Sequence, residues 1–163
     1  MSMKDSPIQI RPGIHPKGVY FTLVQGIEAF NRTDYYEAHD YWEEVWHQIT
    51  GEAREFIQGL IHIAVGLFHW SNGNATGSLS QLKKGILKLE RYQPLYLGFQ
   101  IEKLVQAVTP FVQTLDRVVQ DEVKREQFHP MQYSARYPRL EWDVETVRVA
   151  FGLGSGRKED VMR

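Results

Sequence analysis

The chain has 163 residues, 42% of them hydrophobic and 24% charged, the composition of one globular domain with a real core. Lys plus Arg is 19 and Asp plus Glu is 20, a net charge of −1 that argues against electrostatic capture of nucleic acid or an anionic membrane. There is no cysteine, which excludes a disulfide framework, a cysteine nucleophile, a thiolate zinc site and an iron–sulfur cluster.

The opening stretch, residues 1–18, carries Pro7, Pro12 and Pro16 and reads as an irregular lead-in without the apolar run of a signal peptide. The longest apolar stretch, Phe56 to Trp70, is too short to span a bilayer and contains Gln58, His62 and His69. A cytoplasmic protein with no membrane and no nucleic-acid partner is the expectation. Val19, Leu23, Ile27 and Phe30 recur at helical spacing and predict a first helix. Asn31-Arg32-Thr33-Asp34 breaks that pattern, and Asp34 or Thr33 can cap a second helix running to about Gln48. A third helix is expected over Glu52 to Trp70, apolar nearly all round and therefore central. Gly59 and Gly66 on it would admit a close neighbour.

Ser71-Asn72-Gly73-Asn74 reads as a turn into a fourth helix, with Leu79, Leu82, Ile86 and Leu89 inside and a solvated basic face of Lys83, Lys84, Lys88 and Arg91. Tyr92 to Gly98 reads as a linker. The stripe Ile101, Leu104, Val108, Phe111, Leu115 and Val118 predicts a fifth helix that kinks or restarts at Pro110. The bundle should therefore occupy residues 19–126. Gln127 to Trp142 is expected as extended chain over the bundle or over a partner subunit, as in a homodimer. A short helix from Val144 to Phe151 and a mobile end from Gly152 complete the tail, residues 127–163. The fold class is all-α, a bundle of antiparallel helix pairs. Phe30 to Trp46 and Trp70 to Ile86 also echo each other about forty residues apart, and Tyr36-Glu37-Ala38 resembles the second helix of tetratricopeptide-type repeats.

Four of the six histidines lie between His39 and His69. At about 100° per residue, Tyr35, Tyr36, His39, Trp42, Glu43 and Trp46 fall within an arc of about 120°. His39 and Glu43, one helical turn apart, are thus expected inside an aromatic, core-facing stripe, where a carboxylate must be paired, protonated or bound to a cation. On the next helix Gln58, His62, Val65 and His69 share an arc of about 60°. Antiparallel packing would let Gln58 and His62 face His39 and Glu43. That set suits Zn²⁺, Mn²⁺ or Fe²⁺ with open coordination positions. The same residues also suit a buried hydrogen-bonded pair with Gln58 completing the network. Metal-free acid–base chemistry by Glu43 and His39 ranks third, because no nucleophile or oxyanion-stabilising motif is visible. Substrate, protein partner and small-molecule ligand are not legible.

Phe30-Asn31, Tyr35-Tyr36-Glu37-Ala38-His39-Asp40, Glu43-Glu44-Val45-Trp46, Phe56-Ile57-Gln58-Gly59-Leu60-Ile61 and Asn72-Gly73-Asn74 together resemble the bacterial and archaeal family catalogued as domain of unknown function 309. Its hallmark is H-x-x-x-E-x-x-W or Y, filled here by His39, Glu43 and Trp46. The resemblance covers about Val19 to Tyr92. It implies a helical bundle and divalent-metal binding through the motif residues His39 and Glu43; His62 and Gln58 join the expected ligand set only through the helix geometry above. Asp40 stands where the family pattern usually has Glu, and His62 where relatives often have Gln.

Overall fold

The computed structural model describes residues 8–154. Seven α-helices dominate them. Helix α1 (Pro16–Asn31) begins earlier than the apolar period suggests, because Pro16 occupies its first turn and the His15 imidazole accepts the Lys17 N–H. Helices α2 (Tyr35–Gln48), α3 (Glu52–Ser71) and α4 (Ala75–Leu89) follow the expected bounds closely. Each of the four packs against its neighbour in sequence, so the class is all-α, as the periodicity implied.

The lead-in is not wholly irregular. Strand β1 (Gln9–Ile10) pairs antiparallel with β2 (Ile49–Thr50), and Ile8 N–H donates to Ala150 O. The 92–98 linker is also more ordered than expected. After a 3₁₀ turn at Glu90–Tyr92, β3 (Leu95–Tyr96) pairs with β4 (Phe99–Gln100). Leu97 and Gly98, at φ of 49° and 93°, form a two-residue turn of the kind that twists with its strands. Leucine at such a position hid the hairpin, which is held down by Tyr92, Tyr96 and Phe99 packed around Phe56.

Helix α5 (Ile101–Gln120) runs through Pro110 as one element, with the Thr109 hydroxyl bonded back to Val105 O. A five-residue helix, α6 (Glu122–Glu126), follows. The chain from Gln127 then crosses its own bundle: Phe128 and Leu140 are buried, and Phe99 bridges to Trp142. The expected short helix is α7 (Val144–Ala150). The expectation of a mobile end falls for residues 155–163 outside the described residues.

The forty-residue echo is a structural repeat. Between α1 and α2, Arg32 N–H donates to Glu28 O, Thr33 to Phe30 O and Asp34 to Ala29 O. Between α3 and α4, Asn72 donates to Phe68 O, Gly73 to Trp70 O and Asn74 to His69 O. Thr33 and Gly73 take the same left-handed backbone, with φ of 66° and 76°. Asp34 and Asn74 then cap their helices by accepting the Glu37 and Gly77 N–H groups. Close approach repeats too. A Cβ on Gly26 would stand 2.3 Å from Trp42 Nε1, and one on Gly66 would stand 2.5 Å from Leu82 Cδ2.

Candidate functional site around His39

Helix α2 buries Tyr35, Ala38, Trp42 and Val45, spaced three and four residues apart against α1 and α3. This stripe is narrower than the expected aromatic arc, and His39 lies at its edge. The His39 side chain keeps 23% of its surface in solvent and that of Glu43 keeps 49%. The two groups are therefore in close polar contact but not buried, which corrects the expectation of a core-facing carboxylate. The desolvation cost that would have demanded a cation or a proton does not arise at this exposure.

His39 Nε2 lies 3.1 Å from Glu43 Oε1, and Nδ1 lies 3.2 Å from Asp40 Oδ1. The two carboxylates hold opposite nitrogens of one ring, so the three side chains clamp the imidazole instead of converging on a single point. One helical turn toward the N-terminus, Tyr36 is exposed, with its ring 5.9 Å from that of His39 and 5.4 Å from Phe68. Tyr36, His39, Val65, Phe68 and His69 line a small cleft of about 150 Å³ between α2 and α3.

His62 does not face this cleft. Its Nδ1 is 2.7 Å from Gln81 Oε1, so it looks across α3 toward α4. Gln58 is half-buried, and among the described residues no hydrogen bond joins it to His39 or Glu43. The structure thus keeps His39 with Glu43 but separates that pair from His62. The α3 histidine that shares the cleft with His39 is His69, whose Nδ1 also lies 3.4 Å from the Asn74 amide nitrogen. His69 was on the predicted stripe with His62, yet the helical angle alone did not say which end of the stripe meets α2. Among the described residues, no three His, Cys, Asp or Glu side chains group closely enough to hold a metal ion.

Other motif residues have structural tasks. Arg54 lies with its guanidinium carbon 3.5 Å from the Trp46 ring centre and donates to Trp46 O at 3.1 Å. It satisfies one of the free carbonyls at the end of α2 and staples α2 to α3. Asn31 exchanges two hydrogen bonds with the Leu140 backbone. The tryptophans do not share one pocket: Trp42 packs on Phe30, Trp70 on Phe111 and Phe128, and Trp142 on Phe99. No helix among the described residues is long and apolar enough to cross a membrane.

A family model described as "Domain of unknown function (DUF309)" matches residues 23–81, from the middle of α1 into α4. An uncharacterized protein of Aquifex aeolicus (strain VF5) is 27% identical over 77 residues, covering 47% of this chain. The match spans 23% of that relative's length. Both findings support the family resemblance carried by His39, Glu43 and Trp46.

Proposed function

We propose that this DUF309-domain protein is a non-catalytic binding module made of two helical hairpins, with the α2–α3 edge around His39 as its contact surface. The observation that carries this reading is the clamping of His39. Both ring nitrogens face carboxylates of their own helix, while Tyr36 beside it stays 55% exposed over the cleft. The exposed Asp40 and Glu43 carboxylates are thereby held beside an aromatic face, a pairing of polar and aromatic groups that suits recognition. The repeated hairpin supplies a rigid frame for it.

Divalent-metal binding is the second reading. It rests on Nε2 and Oε1 standing 3.1 Å apart, a spacing that two ligands of one cation can also adopt. His62 is turned to Gln81, so the four residues His39, Glu43, His62 and Gln58 do not fit one centre in this arrangement. A cation would have to take its remaining ligands from elsewhere.

One pair of experiments separates the readings. Untagged protein is titrated with Zn²⁺, Mn²⁺ and Fe²⁺ and its metal content measured. The module reading expects no stoichiometric site that depends on His39; one equivalent lost in both His39→Ala and Glu43→Gln would establish the metal reading in its place. In parallel, a photo-crosslinking residue replaces Tyr36 in cells, with exposed Leu87 as the control position. A discrete adduct at position 36 that His39→Ala removes supports the module. Equal labelling at both positions would sink it.

A further inference from the structure

A larger cavity, sharing no residue with the His39 cleft, lies between α5 and the chain that crosses it from Tyr133 to Glu141. Its volume is about 460 Å³, within the usual range of small-molecule sites. Trp70, Pro110 and Phe111 line it from the bundle, and Tyr133 and Tyr137 from the crossing chain. The rings form a continuous wall: Trp70 is centred 4.8 Å from Phe111 and 5.8 Å from Tyr133, and Phe111 is 5.9 Å from Tyr137.

Two features of this cavity are unspent. The indole N–H of Trp70, whose ring lines the cavity, is buried and has no hydrogen-bond acceptor. The charged lining residues are Lys103, Arg136, Arg139 and Glu141, a net of +2 on a chain of net −1. Lys103 is taken by Glu141 at 2.9 Å. Arg136 and Arg139 are exposed and have no carboxylate partner among the described residues.

We propose that this cavity binds a small flat aromatic anion, its ring against Trp70, Phe111 and Tyr137 and its acidic group on Arg136 and Arg139. Ring faces and edges at these separations accept an aromatic guest by offset or edge contact. Unpaired guanidinium groups favour a planar oxyanion, by paired hydrogen bonds and by stacking. A neutral apolar guest would use the rings and leave both arginines idle.

The probe is 1-anilinonaphthalene-8-sulfonate, titrated by fluorescence into the full chain beside its uncharged analogue N-phenyl-1-naphthylamine. One saturable site for the sulfonate is expected. Arg136→Ala with Arg139→Ala should weaken the sulfonate about tenfold or more and leave the neutral probe unchanged. Ala107→Trp, which fills the cavity, should abolish both. In the wild-type chain the Trp70 indole N–H resonance, assigned with Trp70→Phe, should move as the sulfonate saturates. Sulfonate affinity indifferent to the arginines, loss of both probes alike in the arginine variant, or a Trp70 signal that stays put would each overturn the proposal. The arginines are on the surface, so that variant tests the idea even if Ala107→Trp does not fold.

Discussion

Asn31 and Leu140, 109 positions apart, are joined by two hydrogen bonds: the Asn31 amide donates to Leu140 O at 3.1 Å, and Leu140 N–H donates to Asn31 Oδ1 at 2.8 Å. One side-chain amide, on the last residue of α1, thereby pins the crossing chain to the first hairpin. It does for the loop what a neighbouring strand would do, satisfying both backbone groups of one residue.

Removing that amide should release the crossing chain before it unfolds the bundle. Asn31→Ala is expected to cost about 1–3 kcal/mol, because Leu140 is buried and its backbone groups lose their partner. Limited proteolysis should then cut between residues 133 and 141 faster than in the wild type. Unchanged cleavage with unchanged thermal stability would show that the clasp contributes nothing.

The glycines of α1 and α3 give a matched set. Gly26→Ala and Gly66→Ala should each destabilise by about 1–3 kcal/mol, since the new methyl group meets the Trp42 indole or the Leu82 side chain and backbone. Gly18→Ala should do the opposite. A Cβ there has nothing within 4 Å, so the gain in helix propensity, about 0.5–1 kcal/mol, is unopposed. Denaturant unfolding of the three variants measures all of this, and a stabilising Gly26→Ala would contradict the packing of α1 on α2.

At the His39 clamp the expectation is small. His39→Ala and Glu43→Gln should each change stability by less than about 1 kcal/mol, as for other half-exposed pairs one helical turn apart. A buried pair would instead cost several kcal/mol when one partner is removed. Chemical unfolding at neutral pH distinguishes the two.

Alkaline pH should expose the buried phenols. Burial, with a smaller push from Tyr137, raises the Tyr35 pKa well above the ordinary tyrosine value, and burial, with a smaller push from Tyr92, does the same to Tyr96. In both cases the folded-state value exceeds the unfolded one. Their contribution is therefore fully present below about pH 10 and is lost as pH rises through the folded-state values, at up to about 1.4 kcal/mol per pH unit for each group. Tyr35→Phe and Tyr96→Phe should flatten that loss. At neutral pH Tyr35→Phe should be neutral or stabilising, because the Tyr35 hydroxyl is buried without a partner. Stability measured from pH 8 to 12 tests the sign.

The local elements were legible from residues alone. Asp34 and Asn74 signalled their caps, Gly51 and the Asn72-Gly73 pair signalled stops, and the apolar period set α2, α3 and α4 within a residue or two. The forty-residue echo was visible as well, because turn chemistry and helix period act over a few neighbouring residues. The β3–β4 hairpin was not, since its turn uses Leu97, and neither was the cavity beside Trp70, whose walls come from three segments of α3, α5 and the crossing chain that are separate in sequence.

What tertiary structure decided was which faces meet. A helical angle places His39 near Glu43, which holds, and puts His62 and His69 on one stripe of α3. It does not say how α3 divides its circumference between α2 and α4. In the folded chain Gly59 and Gly66 bring α4 close against α3, Gln81 reaches His62, and Val65 and His69 line the cleft with α2. Burial of Tyr35, Ala38, Trp42 and Val45 then rotates α2 so that Glu43 faces solvent. The local code wrote the helices and the clamp on His39; the competition between two neighbours for one central helix decided that His62 is not part of it.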